Sequence, residues 1–159
     1  MLASEDIPEN DPWWFRQPIS GNAVTSILDK PTQRAAFRQI RDSYVNGLTA
    51  QDRSLAFSKI PSPLAKFLAP GKIVAGYVAK GSEVDPAAIL AQAHALGCDL
   101  ALPHVTSKSA PMRFLRWSPD DDLVPGVFGL LQPAETAPEC KPDIVLVPML
   151  AYDDRLIRL

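Results

Sequence analysis

One stretch, residues 72–102, constrains the fold of this chain more than any other. It begins with a short apolar run, residues 73–78, whose valine, isoleucine and tyrosine side chains are typical of a buried strand. Asp85 and Pro86 then supply a helix cap and a first helical residue, and apolar residues recur at helical spacing up to a glycine stop. A second apolar run, residues 100–103, follows directly. The pattern therefore predicts one β-α-β unit with parallel strands.

Glu83 occupies the segment that joins the first predicted strand to the helix. In open α/β sheets, ligands bind beyond the carboxyl ends of the parallel strands. We therefore expect Glu83 to lie at that edge of the sheet, beside a helix N-terminus, where a carboxylate can take part in chemistry. Of the two histidines, His104 follows a strand end and is the better functional candidate, whereas His94 lies inside the predicted helix.

Composition sets the class of protein. The chain has 159 residues, of which 47% are hydrophobic and 21% charged, and these values are typical of one soluble globular domain. A net charge of −2 argues against a general nucleic-acid binder. The two cysteines show neither a disulfide framework nor metal-ligand spacing, and no apolar run approaches the roughly 18 residues of a membrane span. We expect a cytoplasmic monomer that binds neither nucleic acid nor membrane.

A helix is predicted over Lys30–Gly47, with a proline at its start and a glycine at its end. At about 100° per residue, its four cations fall within roughly 80° of arc, and apolar side chains fill the neighbouring arc rather than the opposite one. The four cations are Lys30, Arg34, Arg38 and Arg41. Two interpretations remain open: a solvated stripe, or an anion site, because lysine and arginine are the usual partners of phosphate.

Residues 1–29 show no sustained periodicity and are expected to form a loosely ordered extension. Its Trp13 and Trp14 either dock on the body of the protein or belong to a partner-binding peptide. The sequence contains no Gly-rich phosphate loop and no nucleophile elbow. A further buried strand is predicted over residues 143–148, which are almost entirely apolar. Reasoning from the residues alone thus predicts an α/β protein with an anion site and an acid at a strand end, and leaves the reaction open.

Four stretches together carry a family resemblance. They are Lys30-x-x-x-Arg34; Val74-Ala75-Gly76-Tyr77 with Gly81-Ser82-Glu83-Val84-Asp85; Met112-x-Phe114 with Phe128-Gly129-x-x-Gln132-Pro133; and Asp143-Ile144-Val145-Leu146-Val147-Pro148 with Ala151-Tyr152-Asp153 and Arg158-Leu159. In this order and separation they resemble the 5-formyltetrahydrofolate cyclo-ligase (5,10-methenyltetrahydrofolate synthetase) family. The resemblance implies a Rossmann-like three-layer α/β sandwich with a mostly parallel sheet, related in architecture to NagB-RpiA-CoA transferase-like proteins.

The resemblance also implies a reaction. The formyl oxygen of 5-formyltetrahydrofolate takes the γ-phosphoryl group of ATP to give an iminium phosphate, and N10 then closes the methenyl bridge as phosphate leaves. ATP and Mg²⁺ are the implied cofactors, and no metal ligand is assigned. The matching positions imply Glu83 as the catalytic, folate-contacting acid. They further imply Lys30, Arg34 and Arg158 at the nucleotide, and Met112, Phe128 and Tyr152 at the folate.

The chain departs from the family pattern near its end. Leu156 stands where the family has glycine, Gln132 stands where an acid is common, and the Gly-rich segment is missing after Leu159. We therefore expect a C-terminally incomplete cyclo-ligase-like domain over residues 30–159. One alternative is a non-catalytic relative that binds folate or nucleotide. Another is a sugar-phosphate isomerase-like or CoA-transferase-like domain, which would share the architecture without explaining the implied site residues.

Overall fold

The computed structural model describes residues 29–159, which contain four α-helices and seven strands. The elements are α1 Lys30–Gly47, α2 Ala50–Leu55, α3 Ser62–Ala65, β1 Ile73–Ala75, α4 Ala87–Ala95, β2 Asp99–His104, β3 Arg113–Arg116, β4 Leu123–Pro125, a 3-10 turn at Val127–Gly129, β5 Leu131–Pro133, β6 Glu139–Cys140 and β7 Ile144–Val145. The prediction for residues 1–29, including Trp13 and Trp14, falls outside the described residues except at Asp29. None of the described helices is long and apolar enough to cross a membrane.

A five-stranded sheet in the order β6-β3-β2-β1-β7 forms the centre of the fold. The central strand β1 pairs in parallel with β2 and with β7, and β3 pairs antiparallel with β2 and with β6. The predicted β-α-β unit is confirmed, because α4 joins β1 to its parallel neighbour β2. The antiparallel half makes the sheet mixed. Strands β4 and β5 form a separate hairpin.

The core lies where α4 packs on β1 and β2. Its buried members are Val74, Leu90, Ala93, Cys98, Leu100 and Leu102, none more than 3% exposed. Each fully buried aliphatic side chain of this kind contributes roughly 1.5–3 kcal/mol. Helix and sheet approach closely at Gly76, where an added Cβ would lie 2.5 Å from Leu90 Cδ1. Burial of α4 therefore fixes the backbone just after β1, where the loop of residues 76–86 begins.

Two predicted boundaries differ in the structure. Helix α4 begins at Ala87 rather than Pro86, although Asp85 still acts at its start, since its Oδ1 accepts a hydrogen bond from the Ala87 N–H at 2.9 Å. The buried strand predicted for residues 143–148 shortens to Ile144–Val145, and Val145 is 44% exposed. The reason is its place at the edge of the sheet, where it pairs only with β1 among the described strands.

Helix α1 has the bounds that the sequence predicts. Asp29 caps it by accepting a hydrogen bond from the Thr32 N–H at 3.1 Å, and the hydrogen bonds from Thr32 lower the pKa of Asp29. None of its residues is buried, and Ile40 and Tyr44 are about half exposed. The helix therefore depends on polar contacts as well as packing for its position on the protein.

Asp143 ties the edge strand β7 to the central strand β1. Its carboxylate accepts hydrogen bonds from the Ile73 N–H at 2.9 Å and from Lys72 Nζ at 2.8 Å, and its own N–H donates to the Ile73 carbonyl. The hydrogen bond from Ile73 and, next, that from Lys72 hold the pKa of Asp143 below its ordinary value of 3.8. A carboxyl whose pKa is lower in the folded state stabilises the fold above its unfolded pKa, and that contribution is lost as pH falls through the folded value.

Asp143→Asn should therefore lower the melting temperature at about pH 7, because the amide lacks the charge that Lys72 contacts. The difference from wild type should begin to shrink below about pH 4, the ordinary pKa of an aspartate in an unfolded chain, and should vanish only when the folded carboxyl, whose pKa is lower, is also protonated. Thermal unfolding followed by circular dichroism measures both effects. Asp120→Asn, at an exposed carboxylate in the turn after β3, is the matched control. A difference that stays constant with pH would contradict a role for the charge of Asp143.

Candidate functional site

Two neighbouring cavities open at the carboxyl ends of β1, β2 and β7. Their volumes are about 530 and about 350 Å³, which is the size range of small-molecule sites. The first cavity also receives Arg41 from α1 and residues 149–152, whereas the second also receives Met112, Phe114 and Arg158. Both share a wall formed by Tyr77, Glu83, Leu146, Val147 and Pro148. A ligand group in either cavity would therefore meet the same carboxylate.

Glu83 is held in this shared wall by its own loop. Its backbone N–H donates to the Lys80 carbonyl at 3.2 Å, and its Oε2 accepts from the Lys80 N–H at 3.0 Å. Gly81, with φ +63°, allows the tight turn between them. The second oxygen, Oε1, lies 3.9 Å from Arg41 Nη1, and the Glu83 side chain is 28% exposed. The structure thus places this acid at the strand-end edge, as its position in the sequence predicts.

Tyr77 is a wall residue that the sequence reasoning did not single out. Its ring lines both cavities, and its hydroxyl donates to the Val84 carbonyl at 2.7 Å, which closes the loop around Glu83. Burial, followed by the charges of Glu83 and Asp85, raises the pKa of Tyr77. The hydroxyl therefore keeps its proton at neutral pH and remains a donor. Its position directly after β1 was the available signal.

The last nine residues form a small hairpin that serves both cavities. Tyr152 and Arg158 pair across it, and the Leu159 N–H donates to the Ala151 carbonyl at 3.0 Å. Tyr152 lines the first cavity and Arg158 the second. The hairpin thus contributes one predicted site residue to each cavity.

The other predicted site residues divide into three groups. Met112 lines the second cavity and is 57% exposed. Phe128 belongs to the 3-10 turn, but its side chain is outside what the structure describes. Lys30 and Arg34 do not appear among the described residues that line either cavity, because they precede Arg41 on α1 by about 16 and about 10 Å along the helix axis. Their role as phosphate partners stays a prediction.

The remaining candidates for chemistry lie apart from the cavities. His104 is 3% exposed, and its Nδ1 has no hydrogen-bond partner among the described residues. Pro103 and Val105, its neighbours along the chain, line the second cavity, but His104 lines neither. Within residues 29–159, no three His, Cys, Asp or Glu side chains lie close enough together to hold a metal ion.

The structure is that of a mixed α/β protein with two adjacent cavities of small-molecule size at the carboxyl edge of its sheet. The chain belongs to the 5-formyltetrahydrofolate cyclo-ligase family, whose model matches residues 27–159, and this confirms the resemblance. No curated protein matches the sequence significantly. The NMR structure of 5,10-methenyltetrahydrofolate synthetase from Aquifex aeolicus is similar in fold, with a TM-score of 0.55 and 24% sequence identity. That match covers 76% of this chain and 62% of the other.

Leu156 holds a strained conformation in the hairpin of residues 151–159. Its N–H donates to the Asp153 carbonyl at 2.9 Å and its φ is +61°, in the left-handed region that favours glycine. The side chain is 78% exposed, so burial does little to offset the strain. This is the position at which the family pattern has glycine.

Leu156→Gly should raise the free energy of unfolding by about 0.5–1 kcal/mol. Removing a left-handed penalty of roughly 1–2 kcal/mol outweighs the greater entropy that glycine gives the unfolded chain. Chemical denaturation measures the change. Leu55→Gly, at another exposed leucine that is the last residue of α2, should be destabilising because glycine is a poor helix former. A loss of stability in Leu156→Gly would show that the leucine side chain makes a compensating contact.

Proposed function

We propose that this protein converts 5-formyltetrahydrofolate to 5,10-methenyltetrahydrofolate at the expense of ATP. The observation that carries the proposal is the Glu83 carboxylate, held in the wall between two adjacent cavities. A reaction that brings two substrates together needs neighbouring binding sites with the reacting groups at their junction. Membership of the cyclo-ligase family supports this reaction over others that an α/β sheet edge can host.

The proposed chemistry proceeds in two steps. The formyl oxygen attacks the γ-phosphorus and the bond to ADP breaks, which turns that oxygen into a phosphate leaving group. N10 then attacks the formyl carbon, loses its proton, and inorganic phosphate departs with the original formyl oxygen. Glu83 Oε2 is occupied by the Lys80 N–H, so we assign Oε1 to contact the folate or to accept the N10 proton.

Cationic and apolar groups complete the proposed site. We assign Arg158, in the wall of the second cavity, to the nucleotide phosphates, and we keep Lys30 and Arg34 in the same role on the strength of the resemblance. The folate would contact Met112, Tyr152 and Phe128. Mg²⁺ bound by the phosphates would spread their charge. Since the described residues alone do not make a metal cluster, we derive no step through the ion.

The wider features of the proposal rest on the same resemblance. We propose that the cyclo-ligase-like domain spans residues 30–159 and has the Rossmann-like three-layer arrangement of the family. We further propose that it acts as a cytoplasmic monomer. A net charge of −2 and the hydrophobic content of a soluble domain support the cytoplasmic assignment.

Wild-type protein mixed with 5-formyltetrahydrofolate and Mg-ATP should show an ATP-dependent rise in methenyl absorbance. Glu83→Gln should lower turnover by about 10²–10⁴-fold, because the amide cannot accept a proton. Its melting temperature should stay near that of wild type, since glutamine can still accept from the Lys80 N–H. Glu135→Gln, at an exposed acid that lines neither cavity, is the control.

The outcomes of this assay separate the candidate functions. Saturable folate binding with no ATP-dependent rise would identify a non-catalytic relative. Neither binding nor turnover would overturn the proposal. Full turnover in Glu83→Gln would support the proposed reaction but show that Glu83 is not needed for it.

A further inference from the structure

Arg41 makes the contacts that connect helix α1 to the loop carrying Glu83. Its Nε donates to Ser82 Oγ at 2.9 Å, and its Nη1 lies 3.9 Å from Glu83 Oε1. The Ser82 hydroxyl in turn donates to Asp42 Oδ1, on the residue next to Arg41. The Arg41 side chain is 28% exposed and lines the first cavity. Three side chains from two distant parts of the chain thus converge beside the candidate acid.

From this geometry we propose that Arg41 is a positioning residue, which holds Glu83 with Oε1 turned toward the first cavity. Ser82 and Asp42 fix the guanidinium by occupying its Nε side, which leaves Nη1 directed at the carboxylate. Only the expected effect of Arg41 on turnover rests on the proposed function. The orientation of Glu83 is a property of the free protein and is tested separately.

The two oxygens of Glu83 have different partners, and this difference is the basis of the proposal. The loop holds Oε2 through the Lys80 N–H, whereas Oε1 faces the Arg41 guanidinium of α1. A pair at 3.9 Å near the surface contributes little to stability. Removing Arg41 should therefore leave the fold nearly unchanged while allowing the carboxylate to sample other rotamers.

Arginine is suited to this task because of its shape. The planar guanidinium donates from Nε and from Nη1 in fixed directions, so one side chain can contact Ser82 and face Glu83 at once. A lysine ammonium keeps the charge but has a single nitrogen, so it cannot reproduce both contacts. Arg41→Lys should therefore recover only part of what Arg41→Gln loses.

The test measures the rotamer of Glu83 directly. The chain has five glutamates, so glutamate-selective ¹³C labelling gives few signals. The signal that disappears in Glu83→Gln is assigned to Glu83. Side-chain couplings of Glu83 should report one dominant rotamer in wild type and averaging in Arg41→Gln. Ser82→Ala should give partial averaging. Arg53→Gln, at an exposed arginine of α2, should match wild type.

The kinetic arm uses the same variants with 5-formyltetrahydrofolate and Mg-ATP. Arg41→Gln should lower kcat by about 10–100-fold with a smaller change in KM, because a misplaced acid affects the reaction more than binding. Arg41→Lys should fall between Arg41→Gln and wild type. Unchanged Glu83 couplings in Arg41→Gln would overturn the positioning role. Absence of turnover in wild type would instead overturn the proposed function, and the couplings would still decide the role of Arg41.

Discussion

The packing of Leu90 against Gly76 is the contact on which the rest of the site depends. It brings α4 onto the sheet so closely that even a methyl group at residue 76 would meet the leucine side chain. Because Gly76 directly follows β1, this contact fixes the direction in which the chain leaves the sheet. The loop of residues 76–86 is then closed at both ends, by Tyr77 on Val84 and by Asp85 on the start of α4.

The closed loop gives the Glu83 carboxylate a defined position, which the topology of the sheet alone does not. Parallel strands place their carboxyl ends at one edge, but the rule alone leaves side chains there free to point into solvent. Here Glu83 folds back on Lys80 and faces Arg41 in the wall of the first cavity. Such restraint from several sides is what pre-organised sites require, since a loosely held acid would spend little time in a reactive geometry.

Local patterns predicted the parts of this structure that depend on neighbouring residues. The β-α-β unit, the bounds of α1 and the position of Glu83 all follow from apolar spacing, caps and a strand-end rule. The features that the sequence did not predict depend on contacts between distant segments of the chain. The edge position of β7 leaves Val145 exposed although it is as apolar as the residues of a central strand. Nothing in the sequence of α1 indicated that Arg41, rather than Lys30 or Arg34, would meet the loop.

The central claim is that the two cavities sharing Glu83 form the site in which the folate and the nucleotide bind side by side. The most direct measurement is a titration of ¹⁵N-labelled protein with 5-formyltetrahydrofolate, followed by amide chemical shifts. The account predicts saturable shifts for the cavity walls, at Tyr77, Glu83 and Met112, with little change in the exposed helix α2. Shifts centred away from these walls, or none at saturating folate, would contradict it.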